Sequence, residues 1–412
     1  ASGNVTAIEG VAGDPERVVF TLSSNASGGF TFELNDQVDH PVASEGGEAP
    51  GDLELLDLNL SGAIEAFDAD GDSVVLDTAV TVQIEDDTPI VDSMQNATVQ
   101  LDDDALTGGN AGGTGDIDPD AANLTGTLNF SAGADGVASI LLLDTGAPAG
   151  FTYSLNDDDT VLTITQSVGI DGSATDVLSL TLDDTTSGAY TVEQLAAISH
   201  PDDAENFENN LNFNASYQVT DRDGDTADGT LAINVDDDTP VVDSTQNALA
   251  QLDDDAFAGN AGGTGDDADS VDVTGTLNFS AGADGVESVL LTGTTPLPAG
   301  FTSTVSAGGT LLTITQTVGV DGTETAVLTV TLDNMTSGDY TVAQLAAIAH
   351  PDGLDENNLD FTATYQVSDR DGDTADGTLS INVDDDTPVA NDGISVTGLV
   401  HEDALSGANA ES

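Results

Sequence analysis

Alternation of apolar and polar positions dominates this chain. Leu211, Phe213, Ala215, Tyr217 and Val219 alternate with Asn212, Asn214, Ser216, Gln218 and Thr220, the pattern of a strand with one buried face. Leu178, Leu180 and Leu182 repeat it, as do Leu231, Ile233 and Val235. Further strands are predicted at Thr125–Ser131, Ser139–Leu143, Phe151–Leu155 and Val161–Gln166, with Gly, Asn and Asp clusters between them. One short helix per repeat is predicted, at Val192–Ile198 in the first full copy, ending before His200-Pro201. About seven short strands per unit point to an all-β fold, an Ig-like antiparallel β-sandwich in the broad sense.

Self-comparison shows that this pattern recurs. Thr125–Val137 returns at Thr274–Val286, Leu162–Gln166 at Leu312–Gln316, and Tyr190–Ile198 at Tyr340–Ile348. A period this long means one domain per repeat and predicts tandem domains in an extended array. Two full units are expected at 91–240 and 241–388, joined by Thr-Pro links that read as stiff and extended. Residues 1–90 match only the later part of a unit, with His40-Pro41 standing for His200-Pro201 and His350-Pro351. Residues 389–412 restart a unit, Val400–Leu405 standing for Leu252–Phe257. Residue 1 falls inside a repeat, so a segment of a longer chain is expected.

Charge changes the picture next. There are 76 acidic and 3 basic side chains, a formal charge of −73. That excludes nucleic acid and anionic membrane surfaces as partners, since both need a basic face. No apolar run reaches membrane-spanning length. Absence of cysteine fits a cytosolic protein or an extracellular one stabilised without disulfides.

The carboxylates are grouped. Asp221, Asp223 and Asp225 flank Gly224, and a strand later come Asp236, Asp237 and Asp238 before Thr239-Pro240. The set returns as Asp369, Asp371 and Asp373 with Asp384, Asp385 and Asp386, and more loosely as Asp68, Asp70 and Asp72 with Asp86 and Asp87. Two carboxylates ~4 Å apart repel by roughly 4 kcal/mol at an effective dielectric of ~20. Gathering several therefore calls for a cation that the chain hardly supplies.

D-x-D-G-D resembles the start of an EF-hand loop, but position six is Ser73, Thr226 or Thr374 and position twelve is Ala79, Ala232 or Ser380. It is not an EF-hand. Remaining ligands are expected from the closing triplets and from Asp102–Asp104 and Asp253–Asp255 (Asp102, Asp103, Asp104, Asp253, Asp254, Asp255). A D-D-D-T-P end precedes the next unit's L-D-D-D by twelve to fourteen residues, so the two are expected to meet at a junction.

Calcium, several ions per repeat, is the expected metal. Flexible all-oxygen sites suit it better than magnesium, and without Cys and with few His, zinc and copper are not expected. The alternative is a set of solvated acidic turns or a halophile's acidic surface. Against the latter, Asp and Glu would then spread over strand exteriors, whereas here Asp gathers in the same turns of each unit. Gly112–Asp116 and Gly262–Asp266 are read as Gly-rich turns, with Asp116 or Asp266 as possible extra ligands; Asp135 and Asp284 are read as turn formers. His40, His200 and His350 are read as capping a helix C-terminus or packing at a bend, and Arg222 and Arg370 as pairing with local carboxylates. No nucleophile has a partnered base, and without Trp a sugar cleft is not expected. The chain is not expected to be an enzyme.

Phe32–His40 (F-x-L-x-x-x-x-D-H), D-x-D-G-D and the D-D-x-P unit ends together resemble the tandem extender repeats of giant RTX adhesins, type I secreted bacterial proteins. The resemblance covers essentially the whole chain. It implies calcium-rigidified β-sandwiches, outside the cell and monomeric. Neighbouring repeats are the partners, and the string holds a ligand-binding region away from the outer membrane in adhesion and biofilm formation. The implied calcium ligands are the Asp positions of D-x-D-G-D and of the triplets. A glycan- or protein-binding adhesion domain and a halophilic surface-layer protein are the alternatives.

Overall fold

The computed structural model describes residues 7–12, 17–25, 29–38, 40, 55–77, 80–112, 116, 119–201, 208–258, 270–320, 322–351, 353, 356–388, 395 and 397–398. Asp266 and the unit start expected at 400–405 lie outside them. The chain forms two compact units: Ala1–Thr239 with Ala281–Gly285 and Arg370–Asp373, and Pro240–Ser280 with Val286–Asp369 and Thr374–Ser412. The fold is all-β. No helix among the described residues is long and apolar enough to cross a membrane.

The first unit opens with β1 (Ala7–Ala12), β2 (Arg17–Ser24) and β3 (Phe30–Leu34) in one antiparallel sheet. Next come β4 (Leu55–Asn59), β5 (Glu65–Phe67), β6 (Ser73–Val75) and β7 (Thr81–Glu85), with β4 paired to β7 and β5 to β6.

Then follow β8 (Ile90–Val91), β9 (Val99–Asp102), β10 (Asn123–Thr127), β11 (Phe130–Ser131), β12 (Val137–Leu143) and β13 (Phe151–Leu155). They lead into β14 (Val161–Gln166), β15 (Thr175–Leu182), β16 (Ala189–Gln194), β17 (Leu211–Asp221) and β18 (Thr226–Asp236). A five-stranded sheet in the order β10-β16-β15-β14-β13 packs on a four-stranded one, β12-β17-β18-β9.

Period-two sequence is what makes these strands. Leu162, Ile164, Leu178, Leu180 and Val192 point inward from the first sheet, and Ile140, Phe213, Tyr217, Val219 and Ile233 from the second, all buried. Each such side chain contributes roughly 1.5–3 kcal/mol on burial. Phe151 meets Phe213 edge-on, ring centres 4.9 Å apart. Among the described pairings of this unit, β9 with β18 is the parallel one: Val99, Gln100, Leu101 and Asp102 lie beside Ile233, Asn234, Val235 and Asp236.

The helix expected at Val192–Ile198 is absent. Ala189–Gln194 is strand β16, hydrogen-bonded to β10 and β15. Tyr190, Val192 and Gln194 are buried in alternation, so the β-period of Y-T-V-x-Q outweighs the helix propensity of the following L-A-A-I, which is too short to hold a helix alone. The strand expected over Thr125–Ser131 is broken at Leu128–Asn129.

The second unit repeats the plan. It holds β19 (Val241–Val242), β20 (Ala250–Asp253), a single helical turn α1 (Asp255–Ala258), β21 (Asp272–Thr276), β22 (Phe279–Ser280), β23 (Val286–Thr294) and β24 (Phe301–Val305). It closes with β25 (Leu311–Gln316), β26 (Thr325–Leu332), β27 (Asp339–Gln344), β28 (Leu359–Asp369) and β29 (Thr374–Asp384). The sheets are β21-β27-β26-β25-β24 and β20-β29-β28-β23, with β20 again parallel to β29.

Candidate metal centres

The D-x-D-G-D turn joins β17 to β18. Asp221 Oδ1 accepts the Gly224 and Asp225 N–H groups at 3.0 and 2.8 Å, and Gly224 turns the chain at φ 114°, a value that favours glycine. One carboxylate oxygen thus folds the loop and the other is left over. Asp221 is 1% exposed, and its Oδ2, like both oxygens of Asp223, is buried without a hydrogen bond. Burial, then neighbouring Asp223, pushes Asp221 up to about 7.

Asp68 folds the looser copy in the same way, taking N–H groups from Asp70, Gly71 and Asp72 at 3.2, 2.9 and 2.9 Å. That loop is exposed, and the Asp70 side chain followed by these N–H groups holds the Asp68 carboxyl below the usual range.

Within the first unit, the acidic run after β7 reaches the Asp221 loop. Burial raises Asp225, and the Asp86 carboxylate beside it adds to the rise. Asp86 is raised by burial too, with Asp223 adding and His40 opposing. His40 Nδ1 lies 3.0 Å from Asp86 Oδ1, and Asp87 Oδ2 accepts the Ala134 N–H at 2.7 Å. Asp86, Asp221, Asp223 and Asp225 therefore converge with a single imidazole nearby. Repulsion of a few kcal/mol per close pair makes this a place for a hard cation with oxygen ligands.

A second cluster forms where β9 and β18 end. Their parallel register sets Asp102 beside Asp236. Burial, then the charges of Asp104, Asp236 and Asp120, raises Asp102 to about 7 against the Asp104 N–H. Burial with Asp238 nearby raises Asp104 to about 7, and burial followed by Asp104 raises Glu208 to about 8. Asp104 Oδ1 is buried without a hydrogen bond.

The first-half triplet thus meets the closing triplet of its own unit. It was expected to meet the preceding D-D-T-P, which sits instead on the Asp223–Asp225 turn and Ala134. A parallel pair between first and last strands, invisible in local sequence, is the reason.

Central members of the triplets face elsewhere. Asp103 Oδ2 accepts the Ile198 N–H at 2.8 Å, and the Gln194 amide donates to Asp103 Oδ1. His200 lies between Asp103 and Asp237: its Nδ1 is 3.0 Å from Ile198 O and 3.2 Å from Asp237 Oδ1, and its Nε2 is 3.2 Å from Val235 O. Both ring nitrogens face acceptors, so both carry protons. Burial opposes that charge, but the Asp237 contact and the charges of Asp237 and Asp103 outweigh it and raise His200 to about 10. This cluster supplies its own cation. The histidines were expected to cap a helix C-terminus or pack at a bend; the His-Pro recurrence in all three copies was visible in the sequence, but the partners Asp103 and Asp237 were not.

Asp238 accepts N–H groups from Asn110 and from Ala283, and Asp371 Oδ2 accepts the His200 N–H at 3.1 Å; the 281–285 and 370–373 loops belong to this first unit. Asp135 and Asp284, read as turn formers, are buried. Arg222 donates to Asp135 O at 3.3 Å, a backbone carbonyl where a carboxylate was expected. In the second unit Asp253 lies beside Asp384 in register, Asp255 N–H donates to Asp253 Oδ1 at 2.8 Å, and Asp386 N–H donates to Asp385 Oδ1 at 3.0 Å. Asp369 of the second unit and Asp373 of the first are buried as well.

Two predictions follow from these contacts. Asp221→Asn keeps the turn, since its Oδ1 still accepts both N–H groups, but removes a charge. It is expected to raise metal-free stability while weakening calcium binding by about tenfold or more, read by calorimetric titration and thermal melts. Gly133 and Gly282 have φ of 68° and 73°, and a Cβ on either would collide with the Asp87 or Asp238 carboxylate. Gly133→Ala or Gly282→Ala is expected to cost about 1–3 kcal/mol, read by denaturant unfolding.

A family profile for a domain of unknown function, DUF5801, matches residues 94–234 and again 241–382. The chain belongs to the DUF5801 family. No curated protein matches this DUF5801 chain. Among solved structures, it is similar to the CupB6 tip adhesin from Pseudomonas aeruginosa (12% identity, 65% of this chain and 90% of that one, TM-score 0.26). It is also similar to protocadherin gamma B7 extracellular cadherin domains 1–4 (12% identity, 93% and 67%, TM-score 0.25). A third is CfaE, the adhesive subunit of CFA/I fimbria of enterotoxigenic Escherichia coli (11% identity, 60% and 86%, TM-score 0.20). Scores this low carry no functional argument.

Proposed function

We propose that this chain is a non-catalytic, calcium-stabilised spacer of a bacterial cell-surface RTX adhesin, working outside the cell as one of a run of extender domains. The observation that carries the reading is the convergence of Asp86, Asp221, Asp223 and Asp225, with buried oxygens on Asp221 and Asp223 that no hydrogen bond meets. Such oxygens fit calcium, which takes 6–8 oxygen ligands and tolerates irregular geometry. When bound, the ion supplies charge neutralisation and ties segments far apart in sequence. Asp86 follows β7 and the Asp221 turn follows β17, so one ion there would join the end of one repeat to the body of the next.

Small-angle scattering in calcium and in excess chelator, at constant ionic strength, tests this. A particle that lengthens and stiffens with calcium supports the spacer. Stiffening by molar sodium chloride with no response to calcium would move the assignment to a halophilic surface protein.

A further inference from the structure

The Asp–His–Asp constellation occurs in both full repeats, and the two copies differ. In Asp103–His200–Asp237 both imidazole nitrogens face acceptors and the ring has no lone pair to offer. In Asp254–His350–Asp385, all within the second unit, the ring is turned. Its Nε2 points at Asp254 Oδ2, 3.9 Å away, the His350 side chain is 1% exposed, and neither ring nitrogen makes a hydrogen bond. A neutral imidazole keeps a lone pair on one nitrogen.

We propose that Asp254, His350 and Asp385 form a site for a borderline divalent transition metal, separate from the all-oxygen calcium clusters. One potential donor atom from each residue lies within 4.8 Å of the others. Bonds of about 2.0–2.2 Å from one ion span most of that distance. One nitrogen and two carboxylates with water completing the shell suit zinc or its neighbours, whereas calcium prefers oxygen throughout. The carboxylates are held in place: Asp254 accepts the Ile348 N–H at 2.9 Å and a hydrogen bond from Gln344, and Asp385 Oδ1 accepts the Asp386 N–H at 3.0 Å. Such outer contacts orient metal ligands. Four histidines in 412 residues gave no reason to expect this; the burial of His350 does. The proposal stands whether or not the calcium reading does.

The test is zinc titration of the full chain by calorimetry at saturating calcium, with X-ray absorption on the zinc-loaded protein. One zinc per chain that calcium does not displace is expected, with a nitrogen in its first shell. His350→Gln and Asp385→Asn should each weaken it by more than about a hundredfold, beyond the roughly 10–100-fold loss typical of an outer-shell change, and His350→Gln should leave calcium affinity unchanged. Zinc displaced by calcium overturns the proposal, as does an all-oxygen shell in the wild-type protein, a readout that needs no variant to fold. Wild-type zinc affinity in both variants overturns it as well.

Discussion

In excess chelator at about pH 8, the full chain is expected to melt well below its calcium-saturated temperature, and acidifying to about pH 5 is expected to recover much of the loss. Asp102, Asp104, Asp221 and Asp254 are each raised by burial to about 7, and Glu208 to about 8. A carboxyl raised in the fold binds its proton more tightly folded than unfolded. Between the unfolded value near 4 and the folded value near 7, the native state holds more protons, so metal-free stability falls as pH rises through that window. That is the reverse of an ordinary salt-bridged carboxylate.

On the proposed reading, calcium would take the place of those protons. At millimolar calcium, one site with a Kd near 10⁻⁴ M adds roughly 1.4 kcal/mol. Several sites together would raise the midpoint by on the order of 10 °C. Calcium binding should also release protons near neutral pH. Scanning calorimetry at the two pH values, with and without calcium, checks the sign. A chelated chain more stable at pH 8 than at pH 5 would contradict it.

His200→Gln is expected to cost about 3–5 kcal/mol, because it removes the cation from a buried pair and leaves Asp103 and Asp237 uncompensated. The pH dependence distinguishes this from lost packing. His200 is raised from 6.5 to about 10, so its contribution is complete below about pH 6.5 and lost as pH rises through about 10. The gap between wild type and variant, measured by urea unfolding in chelator, should be widest near pH 6 and close above pH 10. A gap constant across that range would mean that His200 acts through shape alone.

Strand-level structure was legible because a half-buried strand writes itself into every second residue, as Leu211 to Val219 and Leu178 to Leu182 do. Acidic turns were legible too, since D-x-D-G-D folds itself through local bonds from Asp221 Oδ1. What the sequence withheld was long-range. Nothing near Asp102 says that its strand will lie parallel to one ending at Asp236, and the L-D-D-D segment was therefore matched with the nearer D-D-T-P. His200 looked like a bend residue because the two aspartates that charge it follow strands β9 and β18, both remote in sequence. Val192–Ile198 misled for the opposite reason: local propensity for helix was present, and tertiary pairing overrode it.

The parallel pair has a mechanical consequence. Strand β9 is the first and β18 the last of the first full repeat's four-stranded sheet. A pull on Val99 toward the chain start and on Asp236 toward the chain end drives neighbouring strands in opposite directions along their length. All four register positions, from Val99–Ile233 to Asp102–Asp236, then carry load together in shear, whereas a hairpin pulled at its open end yields one rung at a time. Asp102 and Asp236 sit at the end of that ladder, so an ion shared between them would rivet the joint where tension enters.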